Sequence, residues 1–168
     1  MSLTPNLDRR GARPYVAVRT HLSRAELADV VPRLLREVYA WLESHGVEAA
    51  GEPFVRYLVV DYNNGMLDIE AGVPVAEAVS GDERVQGRVI PAGSYATVIH
   101  RGPYTSLADT TAELLAWGKA TGVPWQVREQ SGVTTWGGRI EHYRTGPADE
   151  PDPQNWRTEI AILLAESR

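Results

Sequence analysis

The sequence predicts an α+β fold in which a strand–helix–strand–strand unit occurs twice, with pseudo-two-fold symmetry between the two copies. Three observations predict it: two segments carry apolar residues at helical spacing, each lies between β-rich runs, and the second half of the chain repeats the order of the first. We expect both helices on one side of an antiparallel sheet and a groove on the other side. A flexible leader over 1–13 is expected before a single domain over 14–168, with repeats in 14–80 and 90–165.

The first repeat opens with a β-rich run over 15–19 and continues into a helix. Ser23 and Glu26 have the spacing of a capping box, in which each side chain bonds the other residue's backbone. Apolar residues then recur near every 3.6 positions until Gly46, a residue that commonly ends helices. Pro32 conflicts with this pattern, because proline removes a backbone donor, so we expect a kink or a break there.

The remaining elements follow the same logic of alternation and turn chemistry. A strand over 53–60 leads to the turn 63–65, Asn-Asn-Gly, which is a strong hairpin signal before an alternating strand over 67–75. The second repeat has the same order, with these predicted elements: a strand over 94–101, a helix over 105–121, a strand over 139–144 and a last strand over 156–164.

The phase of the strands groups acidic and aromatic side chains into the groove. Glu141 and Tyr143 alternate onto one face of their strand, and the internal match between the repeats gives Tyr57 the equivalent position. On the last strand of each repeat the apolar residues should meet the helices, so Glu70 and Glu159 should point the other way. We therefore expect a concave site that contains these five side chains.

The aromatic composition also favours a binding site. The chain has five Trp, seven Tyr and one Phe, and Trp and Tyr prefer places that are apolar on one side and polar on the other. Further candidates for the lining are Tyr104, Trp136 and, with less support, Trp125. Tyr104 is equally consistent with an anchor at the start of a helix. Trp136 is equally consistent with a lid or with an anchor for the long loop over 122–138, and the sequence leaves open whether this loop closes the groove.

Charge and residue types exclude several classes of function. The net charge is −5 and the basic residues are dispersed, which argues against direct binding of nucleic acid. There is no cysteine and no metal-binding motif, so we expect no metal and no cofactor. Neither a long apolar stretch nor a signal-peptide pattern occurs, so we expect a cytoplasmic protein without membrane contact. The oligomeric state is not indicated.

Several motifs in one order resemble the GyrI-like small-molecule-binding domain family, which also supplies the effector-binding domains of some AraC- and MerR-type regulators. The motifs are His100-Arg101-Gly102-Pro103-Tyr104 with Leu107, Leu114 and Trp117, then Glu141-x-Tyr143, Trp156-x-Thr158-Glu159, and Asp68 to Val75 in the first half. The resemblance covers about 14–164. It implies a stand-alone member with a central groove and a carboxylate at its bottom, matched here by Glu141. The segment 131–138 departs from the family's usual lead-in to this glutamate.

The resemblance and the residues together predict a protein that binds hydrophobic small molecules, cationic or planar, in an aromatic groove. Glu141 would neutralise a ligand cation while ring faces add cation–π attraction. As an alternative, the resemblance implies a hydrolase that opens cyclopropanoid DNA-alkylating compounds, with Glu141 orienting water and Tyr143 or Tyr57 polarising a carbonyl. A second alternative, implied only by the family's name-giving member, is a gyrase-binding inhibitor protein.

Purely structural roles for the acidic residues also stay open. Glu141 could pair with Arg139 or Arg144 near its strand. Glu70 and Glu159 could be buried acids that are paired with arginines.

Overall fold

The computed structural model describes residues 3–166 and has the α+β architecture that the sequence predicts. Within these residues, ten strands form one antiparallel sheet that carries two α-helices. The bounds are β1 Asn6–Arg10, β2 Arg13–Ser23, α1 Leu27–Ser44, β3 Phe54–Asp61, β4 Met66–Pro74, β5 Gln86–Ile90, β6 Gly93–Arg101, α2 Leu107–Thr121, β7 Val127–Gln130, β8 Val133–Trp136, β9 Arg139–Thr145 and β10 Arg157–Leu163.

The sheet is symmetric about its centre. Its order is β1-β6-β10-β9-β3-β4-β2-β5, so β3, β4, β2 and β5 lie on one side and β6, β10 and β9 on the other. The N-terminal β1 adds to the edge of β6, and β7 and β8 form an addition beside β3. The central strands β3 and β9 pair with Val55 opposite Glu141. Because the internal match makes these two positions equivalent, the pseudo-two-fold axis passes between them. The duplicated strand–helix–strand–strand arrangement is thus confirmed, with Glu141 at its centre.

The first helix begins as its sequence predicts. The carboxylate of Glu26 accepts a hydrogen bond from the backbone N–H of Ser23 at 2.8 Å, which completes one side of the capping box. The expected break at Pro32 does not occur, because α1 runs continuously through it. Pro32 lies in the second turn, where its missing donor costs one hydrogen bond near the helix start. At its closest approaches α1 packs on β2 and β4, and α2 packs on β6.

Four strands were not expected from the sequence. Residues 6–10 form β1, which pairs with β6, so the expectation of a flexible leader over 1–13 is wrong for these residues. Met1 and Ser2 lie outside the described residues. The other three are β5, which pairs with β2, and the two strands of the hairpin β7–β8. They are short and largely polar, so they carry little hydrophobic pattern. The hairpin turns at Ser131 and Gly132, which both have positive φ angles, 52° and 82°.

The registers divide the side chains between two faces. Directly opposed residues on neighbouring strands project to the same side of a sheet. One row of directly opposed residues crosses β4, β3, β9 and β10, and it consists of Ala71, Val55, Glu141 and Ile160. Val55 and Ile160 belong to one core cluster with Leu107 and Leu114 of α2, which defines this side as the helix-side face.

The expected location of the site is therefore wrong in one respect. Glu141 projects from the helix-side face, whereas the sequence predicts it on the side of the sheet away from the helices. In the sheet order, β3 and β9 lie between the strands that carry α1 and those that carry α2. A groove over Glu141 would accordingly lie between the two helices.

Gly118 gives Trp125 its position against α2. A Cβ at Gly118 would lie 2.1 Å from the Trp125 indole ring, so no larger residue fits without displacing the ring. Gly118→Ala is expected to lower the free energy of unfolding by about 1–3 kcal/mol in chemical denaturation, because overpacking outweighs the better helix propensity of alanine. In a Trp125→Ala background the same change should become neutral or stabilising. A loss that persists there would contradict the steric explanation.

Candidate functional site

The centre of the candidate site is the Glu141 carboxylate. The hydroxyls of Tyr57 and Tyr143 donate hydrogen bonds to the same oxygen, Oε1, at 3.0 Å and 3.1 Å. The two tyrosines occupy equivalent positions in the two repeats, so each half of the molecule supplies one phenol to one carboxylate. The structure thereby brings together three of the residues that the sequence assigned to the site. The other oxygen, Oε2, accepts no hydrogen bond from residues 3–166.

Burial sets the protonation of this group. Glu141 is 8% exposed, and its burial raises its pKa above the ordinary value, although the bonds from both tyrosines and the charge of Arg139 act in the opposite direction. Burial likewise raises the pKa of Tyr57 and of Tyr143 well above ordinary values, so both phenols stay donors. A carboxylate with a raised pKa can bind a cation or take a proton from water.

Arg139 also belongs to the site, although the sequence suggests it only as an ion-pair partner of Glu141. It lies two residues before Glu141, and its position opposite Ile162 puts it on the same helix-side face. Its guanidinium carbon lies 4.9 Å from the centre of the Trp136 ring and 5.2 Å from that of Tyr57. Its Nη1 is buried and finds no acceptor among the described side chains and backbone groups.

The structural alternative for Glu141 is wrong within the described part of the chain. Arg139 stacks on rings and forms no ion pair with Glu141 there. Arg144 binds Glu159 at 2.8 Å and lies 3.7 Å from Glu52. The buried carboxylate is therefore held by neutral phenols and not by a cation.

A second aromatic group covers the outer side of Tyr143. The rings of Tyr104 and Tyr143 lie 5.4 Å apart, and those of Tyr104 and Trp156 lie 4.8 Å apart. Tyr104 is 37% exposed and begins the short turn before α2. Trp156 was not predicted as a site residue, although it belongs to the Trp-x-Thr-Glu motif. Tyr104 thus packs on the half-buried Tyr143 ring at the surface of the molecule.

The hairpin β7–β8 carries Trp136 into the site. β8 pairs with β3, and the Trp136 indole N–H donates to the hydroxyl of Thr134 at 2.9 Å. Trp136 is buried, so it forms an inner wall beside Arg139. Trp125, the weaker candidate, packs against Gly118 of α2 and bridges to Leu164 instead.

One further polar group on this face lacks a partner. Thr158 lies opposite Tyr143, is fully buried, and its hydroxyl has no hydrogen-bond partner among the described residues. Buried polar atoms without partners are uncommon in proteins and call for a specific explanation. No sequence signal distinguishes this threonine from an ordinary strand residue.

Glu70 and Glu159 do not join Glu141, so that expectation is wrong. Glu70 lies opposite Arg56 and Glu159 opposite His142, which puts both on the face away from the helices. Glu70 binds the Arg88 guanidinium at 2.7 Å, and Glu159 binds Arg10 and Arg144, both at 2.8 Å. The alternative in which both are arginine-paired acids is confirmed.

The site is closed in this structure. Tyr57, Trp136, Arg139 and Glu141 are all buried. Two surface depressions lie elsewhere: one of about 450 Å³ borders Pro91, Gln126 and Leu163, and one of about 380 Å³ lies beside α1. Both are open, and neither includes Glu141. A ligand of aromatic size would reach the carboxylate only if some of the side chains around it moved.

Two other searches concern the part of the chain that the structure describes. No group of three or more His, Asp or Glu side chains in residues 3–166 is arranged to hold a metal ion. Neither described helix is long and apolar enough to cross a membrane.

A family model matches this chain, and solved structures share its fold. A family model described as the GyrI-like small molecule binding domain matches residues 61–165. The EcmrR C-terminal domain superposes with a TM-score of 0.76 at 20% identity, over 98% of both chains. In the EcmrR–DNA complex the TM-score is 0.77 at 21% identity, and this chain, covered to 98%, spans 58% of the EcmrR chain.

Two further solved structures are also similar in fold. SAV2435 bound to tetraphenylphosphonium has a TM-score of 0.61 at 9% identity, with 97% of this chain and 94% of that chain covered. A hydrolase from Listeria innocua has a TM-score of 0.63 at 11% identity, with 98% and 93% covered. No curated protein sequence matches the chain.

Proposed function

This chain belongs to the GyrI-like small-molecule-binding domain family, whose model spans more than half of it, and we propose that it binds hydrophobic, planar or cationic small molecules at Glu141. The observation that carries the proposal is one buried carboxylate that receives a phenol from each repeat and keeps Oε2 without a partner among the described residues. The complex of SAV2435 with tetraphenylphosphonium, a hydrophobic cation, supports this ligand class.

The geometry gives each group a role in binding. Oε2 of Glu141 accepts a hydrogen bond or receives the positive charge of the ligand, while Tyr57 and Tyr143 hold Oε1 in place. The rings of Tyr143 and Trp136 provide apolar walls, and each suitable ring face adds about 0.5–2 kcal/mol of attraction for a cation. Tyr104 swings outward to admit the ligand and then covers it. Exclusion of water strengthens the charge interaction.

Fluorescence titration tests this proposal, because Trp136 lies in the site. Tetraphenylphosphonium and a planar cationic dye are added to the wild type, and we expect saturable quenching of tryptophan emission. In Trp136→Phe the quenching amplitude should fall, since a bound ligand in static contact with a ring removes mainly the emission of that ring. Trp41→Phe is the control, because Trp41 lies in a separate cluster under α1 and bonds Asp82.

Two results would refute the proposal. The first is the absence of saturable quenching in the wild type with every probe. The second is an equal loss of amplitude in Trp41→Phe and Trp136→Phe, which would place the probe elsewhere.

A hydrolase is the second candidate, and the raised pKa of Glu141 beside a phenol favours it. On a cyclopropyl dienone, Glu141 takes a proton from a water molecule while the oxygen of that water bonds to a carbon of the cyclopropane ring. The carbon–carbon bond breaks, and its electron pair moves through the dienone to the carbonyl oxygen, which receives a proton from Tyr143. Tyr143 then takes back a proton from Glu141 across the 3.1 Å hydrogen bond between them, which restores both groups. The fold neighbour from Listeria innocua is called a hydrolase.

Mass spectrometry checks the hydrolytic reaction. Incubation with a cyclopropyl dienone alkylator should yield a product heavier by one water, and Glu141→Gln should slow its formation by about 10²-fold or more, the usual contribution of a general base. Unchanged substrate after hours with the wild type would refute hydrolysis and leave the binding proposal intact. A gyrase-binding role stays a prediction without a structural observation in its favour.

A further inference from the structure

We propose that the site selects zwitterionic aromatic ligands, which carry an anionic or carbonyl oxygen in addition to a cationic group, and that Arg139 imposes this selection. The inference rests on the proposed function and specifies its ligand class. It makes Arg139 a second polar anchor beside Glu141.

The first argument is the missing partner of Arg139. The side chain is 7% exposed, and its Nη1 is buried with no acceptor among residues 3–166. A buried donor without a partner carries a desolvation cost that is larger for a charged group than for a neutral one. An acceptor oxygen on a ligand would offset this cost, so the free protein is prepared for a ligand that brings one.

The second argument is the spacing of the two charges. Arg139 and Glu141 are alternate residues of β9 and project to the same face, with backbones about 7 Å apart. No ion pair joins them in the described structure, so neither neutralises the other by direct contact. A molecule with a positive and a negative group separated by a rigid aromatic body can bind both residues at once.

The third argument concerns ligands that carry only a positive charge. The guanidinium already lies over the rings of Tyr57 and Trp136, which are the surfaces that a ligand cation would use. The site therefore carries a negative charge on Glu141 and a positive charge on Arg139. A monocation meets like-charge repulsion from Arg139 as well as attraction from Glu141, and such repulsion discriminates strongly between ligands.

A matched dye pair tests the inference. The free acid of a rhodamine is a zwitterion, and its methyl ester is a cation with nearly the same shape. We expect the wild type to bind the free acid about tenfold more tightly than the ester, measured by fluorescence anisotropy at low salt. Arg139→Met should reverse this order, because it removes both the anchor for the carboxylate and the repulsion of the cation.

Arg139→Lys is the control, since it keeps the charge and should keep the preference for the acid. Thermal unfolding of both variants, with circular dichroism, establishes that they are folded. A wild type that prefers the ester, or an Arg139→Met preference equal to that of the wild type, would overturn the inference while the proposed function stands. Binding of neither dye by wild type and both variants would refute the proposed function, and the inference with it.

Discussion

Glu70→Gln is expected to lower the free energy of unfolding by about 2–3 kcal/mol, the cost of removing a charged acceptor from a buried hydrogen-bonded group. Glu70 is 1% exposed, accepts a hydrogen bond from the Tyr15 hydroxyl at 2.5 Å and forms an ion pair at 2.7 Å with Arg88, whose side chain is 39% exposed. Tyr15 in turn accepts from the buried Arg56 at 2.9 Å. Removal of the one carboxylate leaves the Arg56 guanidinium buried without a counter-charge in this group. Urea denaturation monitored by circular dichroism measures the loss.

Glu159→Gln is the matched control, because Glu159 occupies the pseudo-two-fold equivalent position on the same face. Its partners Arg10 and Arg144 have side chains that are 30% and 41% exposed, so water can solvate them once the carboxylate is gone. We expect a loss of about 1 kcal/mol or less, typical of ion pairs whose arginines are partly solvated. Equal losses in the two variants would show that the buried Arg56, which reaches Glu70 through Tyr15, does not add to the cost.

Glu159 should also make the stability of the protein depend on pH in acid. Burial alone would raise the pKa of Glu159, but the hydrogen bonds from Arg10 and Arg144 hold it below its ordinary value. Its stabilising contribution is therefore present above the ordinary glutamate pKa and is lost as the pH falls through the lowered value.

The sequence predicts which residues form the centre of the site, but it does not predict which face of the sheet carries them. The match of Val55-Arg56-Tyr57 with Glu141-His142-Tyr143 is sufficient to group Tyr57, Tyr143 and Glu141, because equivalent positions of a two-fold repeat meet at the axis. The face depends on the register between β3, β4 and β9. In β3, apolar residues occur on both faces, Phe54 on one and Val55 on the other, so alternation alone does not assign the phase.

The role of Arg139 was hidden for a related reason. A sequence lists Arg139 as one more charge near Glu141, for which an ion pair is the simplest expectation. Its contacts come from Tyr57 on β3 and Trp136 on β8, and β8 belongs to a hairpin in a segment that the sequence predicts as a loop. Glycine-flanked polar strands of four residues carry too little pattern to be predicted.

Glu141→Gln is expected to weaken binding of a cationic or zwitterionic aromatic probe by about 30-fold or more. Truncating one partner of a buried charge pair costs about 2–5 kcal/mol, and 2 kcal/mol is already about 30-fold in affinity. The isosteric amide still accepts from Tyr57 and Tyr143, so the site keeps its shape. Isothermal titration calorimetry measures the change. The matched control is Glu159→Gln, on the opposite face, which should bind as the wild type does.

The pH dependence of stability and that of ligand affinity should run in opposite directions, and Glu141→Gln should remove both. Because the pKa of Glu141 is raised in the folded state, the folded chain binds a proton that the unfolded chain releases. The free energy of unfolding therefore falls as the pH rises from the ordinary glutamate value, 4.5, through the raised value. Ligand affinity rises over the same interval, since only the carboxylate neutralises a cation. Glu141→Gln should flatten both trends.

Another titrating group lies in this pH range, and the comparison of variants removes it. Burial lowers the pKa of His142 to about 4, so the folded state gains stability as the pH rises from about 4 toward the ordinary histidine value. That trend opposes the one from Glu141, and it is present in wild type and Glu141→Gln alike. The difference between the two proteins therefore isolates the carboxylate. If this difference is independent of pH while affinity still rises, the proton that controls binding belongs to the ligand and not to Glu141.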